Sequence, residues 1–220
     1  MNKFFFGKKH FAFSETTLLL VMLNYSETFR RFLQGLAIVG VFWLFYFFPL
    51  QPTVFRTLLG LGILYDTVDM LNRSSNHRMI FILFIYGLGS NFIASQLYAT
   101  DRLRTYCTVM LVCASDTFQY FFGKLFGKTK IFKSISSKSL EGYVGGIIGT
   151  VCFGLIIRQS VLRSVIISCA GIVGDMLESY LKRKIKIKDT STLFGSHGGW
   201  FDRADGIYAS LWVMWIFSTL

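Results

Sequence analysis

Apolar stretches separated by short charged segments run through most of the chain. A helix that crosses a bilayer needs about 20 predominantly apolar residues, and several stretches approach that length. The pattern therefore predicts an all-α, polytopic membrane protein with about seven transmembrane helices. The predicted spans are Phe32–Pro49, Thr57–Met70, Met79–Tyr98, Thr105–Phe122, Tyr143–Ile157, Val161–Leu181 and Ile207–Leu220.

The N-terminal part differs from the rest because it is basic and aromatic. Its apolar piece, Thr17–Tyr25, is too short to cross a bilayer. We interpret residues 1–31 as an interfacial segment and residues 32–104 as N-terminal transmembrane helices. Residues 105–220 form the transmembrane region that carries the candidate chemistry.

The composition supports a membrane protein. Of the 220 residues, 53% are hydrophobic and only 16% are charged, against about 25% charged in soluble domains. The formal net charge of +11 would suit a nucleic acid, but the pattern offers no soluble basic face to bind one. We therefore expect no nucleic-acid partner and interpret the excess Lys and Arg as a marker of cytoplasmic loops.

Charge asymmetry predicts the orientation of the spans. With the N-terminus inside, most of the 23 Lys and Arg residues fall in cytoplasmic segments, as the positive-inside rule requires. The two long polar loops, Gly123–Gly142 and Lys182–Gly206, then share the cytoplasmic side. Most of the acids fall on that side too, near helix ends or in loops: Asp66, Asp69, Asp116, Glu141, Asp175, Glu178, Asp189, Asp202 and Asp205.

Two of these acids, Asp116 and Asp175, are predicted to lie at matching depth within the inner leaflet, on different helices. Ionisable groups at that depth are costly unless they face a polar cavity or a partner. The pair could be a salt-bridged helix contact or could line a cavity open to the cytoplasm, and we favour the cavity.

One helix face combines acids and a cation. Asp175, Glu178, Ser179 and Lys182 stand at i, i+3, i+4 and i+7, which places them on one side of a helix. Carboxylate oxygens are the ligands that Mg²⁺ accepts, and a cation cluster nearby can hold phosphates. A basic membrane anchor would explain the cluster Lys182–Lys188 by itself, but not the acids on the same face.

The loop that follows brings further candidates. At Ser196–Gly199 the backbone could approach a ligand closely, and His197 could donate to a phosphate, act as an acid or simply be exposed. Asp202, Arg203 and Asp205 are predicted to end this loop before the last helix, where Asp202 and Asp175 could share a metal. Elsewhere the spacing of four glycines predicts close helix packing: Gly142, Gly145, Gly146 and Gly149.

These motifs resemble the signature of the phosphatidate cytidylyltransferases (CDP-diacylglycerol synthases). The residues of Gly174–Ser179 are closer to the bacterial branch of that family than to the eukaryotic one. Three segments between Asp116 and Asp205 carry the resemblance: Asp116–Lys128, Lys138–Gly146 and Gly174–Asp205. The resemblance implies attack of the phosphatidate phosphate on the α-phosphorus of CTP, with Mg²⁺ as cofactor. It further implies an integral protein of the bacterial inner membrane with its active site on the cytoplasmic side, and it leaves a homodimer open.

The resemblance also implies roles for individual residues. The expected catalytic residues are Asp175, Asp202, Lys182, Arg183 and His197. The expected substrate contacts are Lys138, Ser179, Lys188, Gly198, Gly199 and Arg203. The expected Mg²⁺ ligands or their close neighbours are Asp175, Asp202, Asp116, Glu141 and Glu178.

Three alternatives stay open at this point. A related CTP-dependent enzyme acting on a polyprenol or prenol lipid would need the same cations and metal. An ion-coupled transporter would use intramembrane acids, but it predicts acids across the whole bilayer depth and inverted repeats, neither of which the sequence displays. An inactive scaffold predicts loss of the charged signature, which is intact here.

Overall fold

The computed structural model describes residues 52–131, 138–195 and 198–219, and within these ranges the regular elements are six α-helices. The predicted interfacial segment 1–31, the span Phe32–Pro49 and the candidate His197 lie outside the described residues. The six helices are α1 (Pro52–Arg73), α2 (His77–Thr100), α3 (Arg102–Phe126), α4 (Leu140–Ile156), α5 (Val161–Lys184) and α6 (Phe201–Thr219). The all-α class is therefore confirmed for this part of the chain.

Each helix contains most of a predicted span and most extend it by polar residues, because hydropathy marks only the apolar part of a helix. Polar side chains cap three of the helix starts. Asp101 accepts a hydrogen bond from the Arg104 amide at α3, and Ser139 and Ser160 cap α4 and α5 in the same way. Such caps satisfy amide groups that have no partner within the helix.

The start of the last helix corrects a prediction. Asp202, Arg203 and Asp205 were expected in a loop before Ile207, but α6 begins at Phe201, so all three lie in its first turns. A carboxylate there is favourable because it meets the positive end of the helix dipole and the unpaired amides of the first turn.

Membrane crossing has partial support. Among the described helices, α2 by itself is long and apolar enough to cross a bilayer, whereas α4 is apolar but shorter. Large apolar side chains are exposed on the helix surfaces, for example Phe81, Leu125 and Leu162. The seven-span topology stays a prediction.

Glycines bring α3 and α4 together, as their spacing predicts. A Cβ on Gly145 or Gly149 would collide with the ring of Phe122 or Phe118, and one on Gly146 with the side chain of Gln119. Residues without a side chain let two helices approach closely, and this contact holds the start of α4 beside α3.

An apolar cluster joins the remaining elements near the candidate site. It includes Ile63 of α1, Leu83 of α2, Leu181 of α5 and Phe201 of α6, which are nearly or completely buried. Close packing of such side chains stabilises the contacts between helices. The cluster therefore fixes the end of α5 and the start of α6 against α1 and α2.

Candidate active site

Lys138 connects the two acids that the sequence places at matching depth. Its Nζ lies 3.0 Å from Asp116 Oδ1 on α3 and 2.9 Å from Asp175 Oδ2 on α5. It also donates to Gln119 Oε1 at 3.1 Å. Of the two interpretations of these acids, the salt-bridged helix contact is therefore the one that the structure shows. Burial alone would lower the pKa of Lys138, but Asp116 and Asp175 outweigh it and raise that pKa.

Lys182 forms a second such centre at the end of α5. Its Nζ lies 2.6 Å from Glu178 Oε2, one turn earlier, and 2.5 Å from Asp202 Oδ1 on α6. Glu178 is 2% exposed and Lys182 is 8% exposed. Burial by itself would lower the pKa of Lys182. The negative charges of Glu178 and Asp202 outweigh this effect and raise the pKa, so the ammonium stays charged. The predicted placement of acids and a cation on one helix face is confirmed for Glu178 and Lys182, which contact each other.

Asp202 organises the loop before α6 through its other carboxylate oxygen. Its Oδ2 accepts from the amides of Thr190 at 2.8 Å and Gly199 at 2.6 Å, and lies 2.8 Å from Thr190 Oγ1. Burial alone would raise the pKa of Asp202, but the Lys182 ammonium and these amides lower it. Asp202 is therefore ionised and connects the loop to Lys182 at the end of α5.

Asp66 on α1 is a buried residue of this region to which the sequence assigned no role. Its Oδ1 accepts from Ser191 Oγ at 2.6 Å, and its Oδ2 from Thr190 Oγ1 and the Phe201 amide, both at 2.8 Å. One signal could have revealed it. A carboxylate within an apolar stretch is costly without partners, so Asp66 had to be bonded to something.

The two glycines predicted to contact substrate pack against this network. Gly198 has φ +79°, which favours glycine, and a Cβ there would collide with Asp202 Oδ2. A Cβ on Gly199 would collide with Thr190 Oγ1, Asp66 Oδ2 and Ser191 Oγ. Both glycines thus serve the packing of the loop, while their contact with substrate stays a prediction.

Glu141 makes different contacts from those expected of a metal ligand. Its carboxylate accepts from the backbone amides of Lys128 and Thr129, all at 3.1 Å. Hydrogen bonds from backbone amides, first its own and then that of Thr129, lower the pKa of Glu141 to about 2. It therefore joins the start of α4 to the segment after α3, and its predicted metal role gains no support from these contacts.

The other predicted phosphate contacts lie around the end of α5 and the start of α6. Arg183, Lys188 and Arg203 are exposed, and Ser179 is half-buried. Arg183 Nη1 donates to the carbonyl oxygen of Ile187 at 3.2 Å, which shapes the turn after α5. These cations can meet a ligand from solution, but no contact yet assigns one of them to a phosphate.

The carboxylates fit Mg²⁺ in chemical type. Asp205 lies near enough to Glu178, Asp175 and Asp116 for mutual repulsion, and Glu178 Oε1 is buried with no hydrogen-bond donor among the described residues. Hard oxygen donors of this kind are the ligands that Mg²⁺ prefers. Within those residues, however, no three His, Cys, Asp or Glu side chains are grouped closely enough to hold a metal.

Comparison with known proteins agrees with the resemblance. The model of the cytidylyltransferase family matches residues 3–220. A phosphatidate cytidylyltransferase of Aquifex aeolicus is 34% identical over 189 residues, which cover 78% of this chain and 71% of the relative.

Two further relatives carry the same name but match over shorter stretches. The protein of Mycobacterium leprae is 34% identical over 152 residues, which are 64% of this chain and 49% of the relative. That of Staphylococcus haemolyticus is 37% identical over 107 residues, which are 44% and 41% of the two chains. The chain thus spans less than half of these two relatives. From the extent of the family match and the Aquifex alignment, the chain belongs to the cytidylyltransferase family.

Proposed function

We propose that the chain is a membrane phosphatidate cytidylyltransferase, which converts CTP and phosphatidate to CDP-diacylglycerol and pyrophosphate. The names of its relatives support this activity. One structural observation supports the same activity for this chain. Lys138 and Lys182 each lie between two carboxylates, and together these acids come from α3, α5 and α6.

The reaction suits a site of cations and acids without a nucleophilic side chain. A phosphatidate phosphate oxygen attacks the α-phosphorus of CTP, a new P–O bond forms, and the bond to the pyrophosphate leaving group breaks. Because the substrate supplies the nucleophile, the protein contributes mainly positioning and charge stabilisation. We assign phosphate contacts to Lys138, Lys182, Arg183, Lys188 and Arg203, and the shaping of the CTP site to His197, Gly198 and Gly199.

Both lysines can serve this role through an exchange of partners. Each ammonium already lies within 3.0 Å of two carboxylates. Phosphate oxygens can compete for the same N–H donors, since charge-assisted hydrogen bonds to carboxylate and phosphate are similar in kind. In that exchange the lysines bind phosphate and the carboxylate oxygens become available for a cation.

We assign Mg²⁺ to Asp175 and Asp202, with Asp116 and Glu178 as further ligands or neighbours. When bound, Mg²⁺ would neutralise charge on the phosphates of CTP. The buried Glu178 Oε1, which accepts no hydrogen bond from the described residues, supports a cation in this region. Glu141 is the weakest of the five assignments because its carboxylate is engaged by backbone amides.

We also propose that the protein is integral to the inner membrane of a bacterium, with the site at the cytoplasmic surface. The length and apolar composition of α2 and the exposed apolar side chains support insertion in a membrane. The bacterial sources of the relatives support a bacterial membrane, and the distribution of Lys and Arg supports a cytoplasmic site. A site at the interface would let the lipid phosphate reach Lys138 and Lys182 while the acyl chains stay in the bilayer.

A single assay tests the activity against its rival. The purified full chain in detergent micelles is given radiolabelled CTP with either phosphatidate or a polyprenol, with and without Mg²⁺. We expect labelled CDP-diacylglycerol from phosphatidate in the presence of Mg²⁺. Labelled product from the polyprenol alone would favour the prenol-directed enzyme, and turnover unchanged by chelation of Mg²⁺ would contradict the cofactor.

A further inference from the structure

Asp66 is a fully buried carboxylate on α1, outside the segments that carry the family resemblance. Its three hydrogen bonds all come from one part of the chain, far away in sequence. The donors are the hydroxyls of Thr190 and Ser191 and the backbone amide of Phe201. Asp66 therefore joins α1 to the loop before α6 and to the first residue of that helix.

Because Asp66 is buried, Asp66 and the segment that it contacts depend on each other. A carboxylate removed from water is strongly destabilising unless hydrogen bonds replace its solvation. Because the three donors belong to the loop and the start of α6, Asp66 is satisfied only when this segment has its observed conformation. Conversely, the conformation of the segment depends on a carboxyl group that α1 supplies.

The link continues to Asp202 through one hydroxyl group. Thr190 Oγ1 lies 2.8 Å from Oδ2 of Asp66 and 2.8 Å from Oδ2 of Asp202. Gly199 packs so closely against Thr190 Oγ1 and Asp66 Oδ2 that there is no space for a Cβ. A shift of Asp66 would therefore be transmitted to Asp202, whose other oxygen contacts Lys182.

Two neighbours on α1 and just after it strengthen this connection. Ser74 Oγ donates to the carbonyl oxygen of Ile185 at 2.9 Å. Arg73 donates to the carbonyl oxygen of Thr190 and is ion-paired with Asp69 at 2.8 Å. The end of α1 thus contacts the segment after α5 at several points, and Asp66 is the one that is fully buried.

We propose that Asp66 is a positioning residue, which holds residues 190–195 and 198–201 so that Asp202 and Lys182 keep the geometry needed for reaction. The proposal rests on the proposed cytidylyl transfer for its kinetic consequence, but not for its structural one. Asp66 contacts Asp202 through Thr190 and would not itself contact substrate.

The decisive variant is Asp66→Asn in the full chain, with Asp101→Asn as the matched control. Asp101 is an exposed acid that caps α3, where Asn is an equally good cap. Asp66→Asn keeps one side-chain oxygen but replaces the other with an NH2 group. That group is a hydrogen-bond donor and would face the donors that now contact Asp66. We expect a kcat about ten- to a hundredfold lower, the effect of losing hydrogen bonds to a buried charge, with little change in Asp101→Asn.

Hydrogen exchange separates positioning from general destabilisation. In Asp66→Asn, amides of residues 190–195 and 198–201 should exchange faster while those of α4 stay unchanged. Equal acceleration in α4, or loop exchange and kcat like those of Asp101→Asn, would overturn the proposal. If the wild type itself fails to use CTP and phosphatidate, the proposed function falls, and the exchange experiment still judges the role of Asp66.

A second variant guards against misfolding of the first. Thr190→Val removes the hydroxyl between the two carboxylates and leaves Asp66 its bonds to Ser191 and Phe201. It should reproduce the local rise in exchange and the loss of kcat. Where both variants fold, the kcat of the double variant should be scarcely lower than that of the slower single variant. The reason is that both substitutions break the same connection between Asp66 and Asp202. Fully additive losses in kcat would contradict transmission through Thr190.

Discussion

The Lys182 ammonium lies 2.5 Å from Asp202 Oδ1, so a buried ion pair joins the end of α5 to the first turn of α6. The same ammonium contacts Glu178 at 2.6 Å. One cation therefore offsets two carboxylates that would otherwise repel each other in a poorly solvated place. This arrangement makes the local structure sensitive to any loss of charge, and it leads to the first prediction.

Lys182→Met should lower both stability and turnover. It leaves Glu178 and Asp202 buried without their cation, and breaking a buried pair in this way costs about 3–5 kcal/mol. Thermal unfolding in detergent and CTP turnover measure the two effects. Lys184→Met is the control, because Lys184 is exposed beside the Tyr180 ring and should behave like wild type. Equal stability of the two variants would contradict the ion-pair network.

Lys138→Met should destabilise the contact between α3 and α5 more mildly. Its loss leaves Asp116 and Asp175 facing each other, but Asp116 is half exposed, so solvent screens part of the repulsion. We expect a loss of about 1–3 kcal/mol, typical of hydrogen bonds to charged groups. Adding Asp116→Asn to this variant should restore part of the unfolding midpoint by removing one repelling charge. No recovery in the double variant would show that repulsion is not the cause.

Asp175→Asn and Asp202→Asn should each abolish Mg²⁺-dependent turnover while the protein stays in the membrane fraction. Each substitution keeps the size of the side chain but removes the negative charge that attracts a divalent cation. Turnover is measured over a range of Mg²⁺ concentrations, with Asp101→Asn as the control. Wild-type dependence on Mg²⁺ in either variant would remove that residue from the proposed site.

The hydrogen bonds of the Glu141 carboxylate should stabilise the fold, and this stabilisation should be lost at acid pH. Its pKa is about 2 in the folded chain against 4.5 ordinarily, so the unfolded chain binds the proton more tightly. The contribution is therefore complete above pH 4.5 and is lost as the pH falls towards 2. Unfolding midpoints measured across this window should fall less steeply for Glu141→Gln than for wild type. Parallel curves would mean that the amide contacts add nothing.

Gly199→Ala should be far more damaging than Gly195→Ala in the same loop. A Cβ on Gly199 meets Thr190, Asp66 and Ser191, whereas a Cβ on Gly195, where φ is +58°, meets no atom of the described residues within 4 Å. The change at Gly195 should cost about 1–2 kcal/mol of backbone strain. At Gly199 the hydrogen bonds of the loop must break as well, so turnover should be lost. Similar turnover of the two variants would contradict the packing of Gly199.

Features that depend on nearby residues, such as helical periodicity and glycine spacing, could be predicted from the sequence. Helical periodicity placed Glu178 and Lys182 on one face, and the structure pairs them directly. Glycine spacing predicted the close contact of α4, which the structure confirms against α3. The start of α6 was predicted wrongly, because hydropathy detects only the apolar part of a helix, and Phe201–Gly206 is polar enough to resemble a loop.

The sequence by itself determined the all-α class, the cores of the described helices, the family and the residues that carry charge near the site. These follow from local periodicity, composition and a continuous motif. Only the tertiary structure decided that Lys138 joins Asp116 to Asp175 and that Asp66 holds Thr190, Ser191 and Phe201. The physical reason is that a buried charge must find a partner, but which partner it meets depends on how distant helices pack.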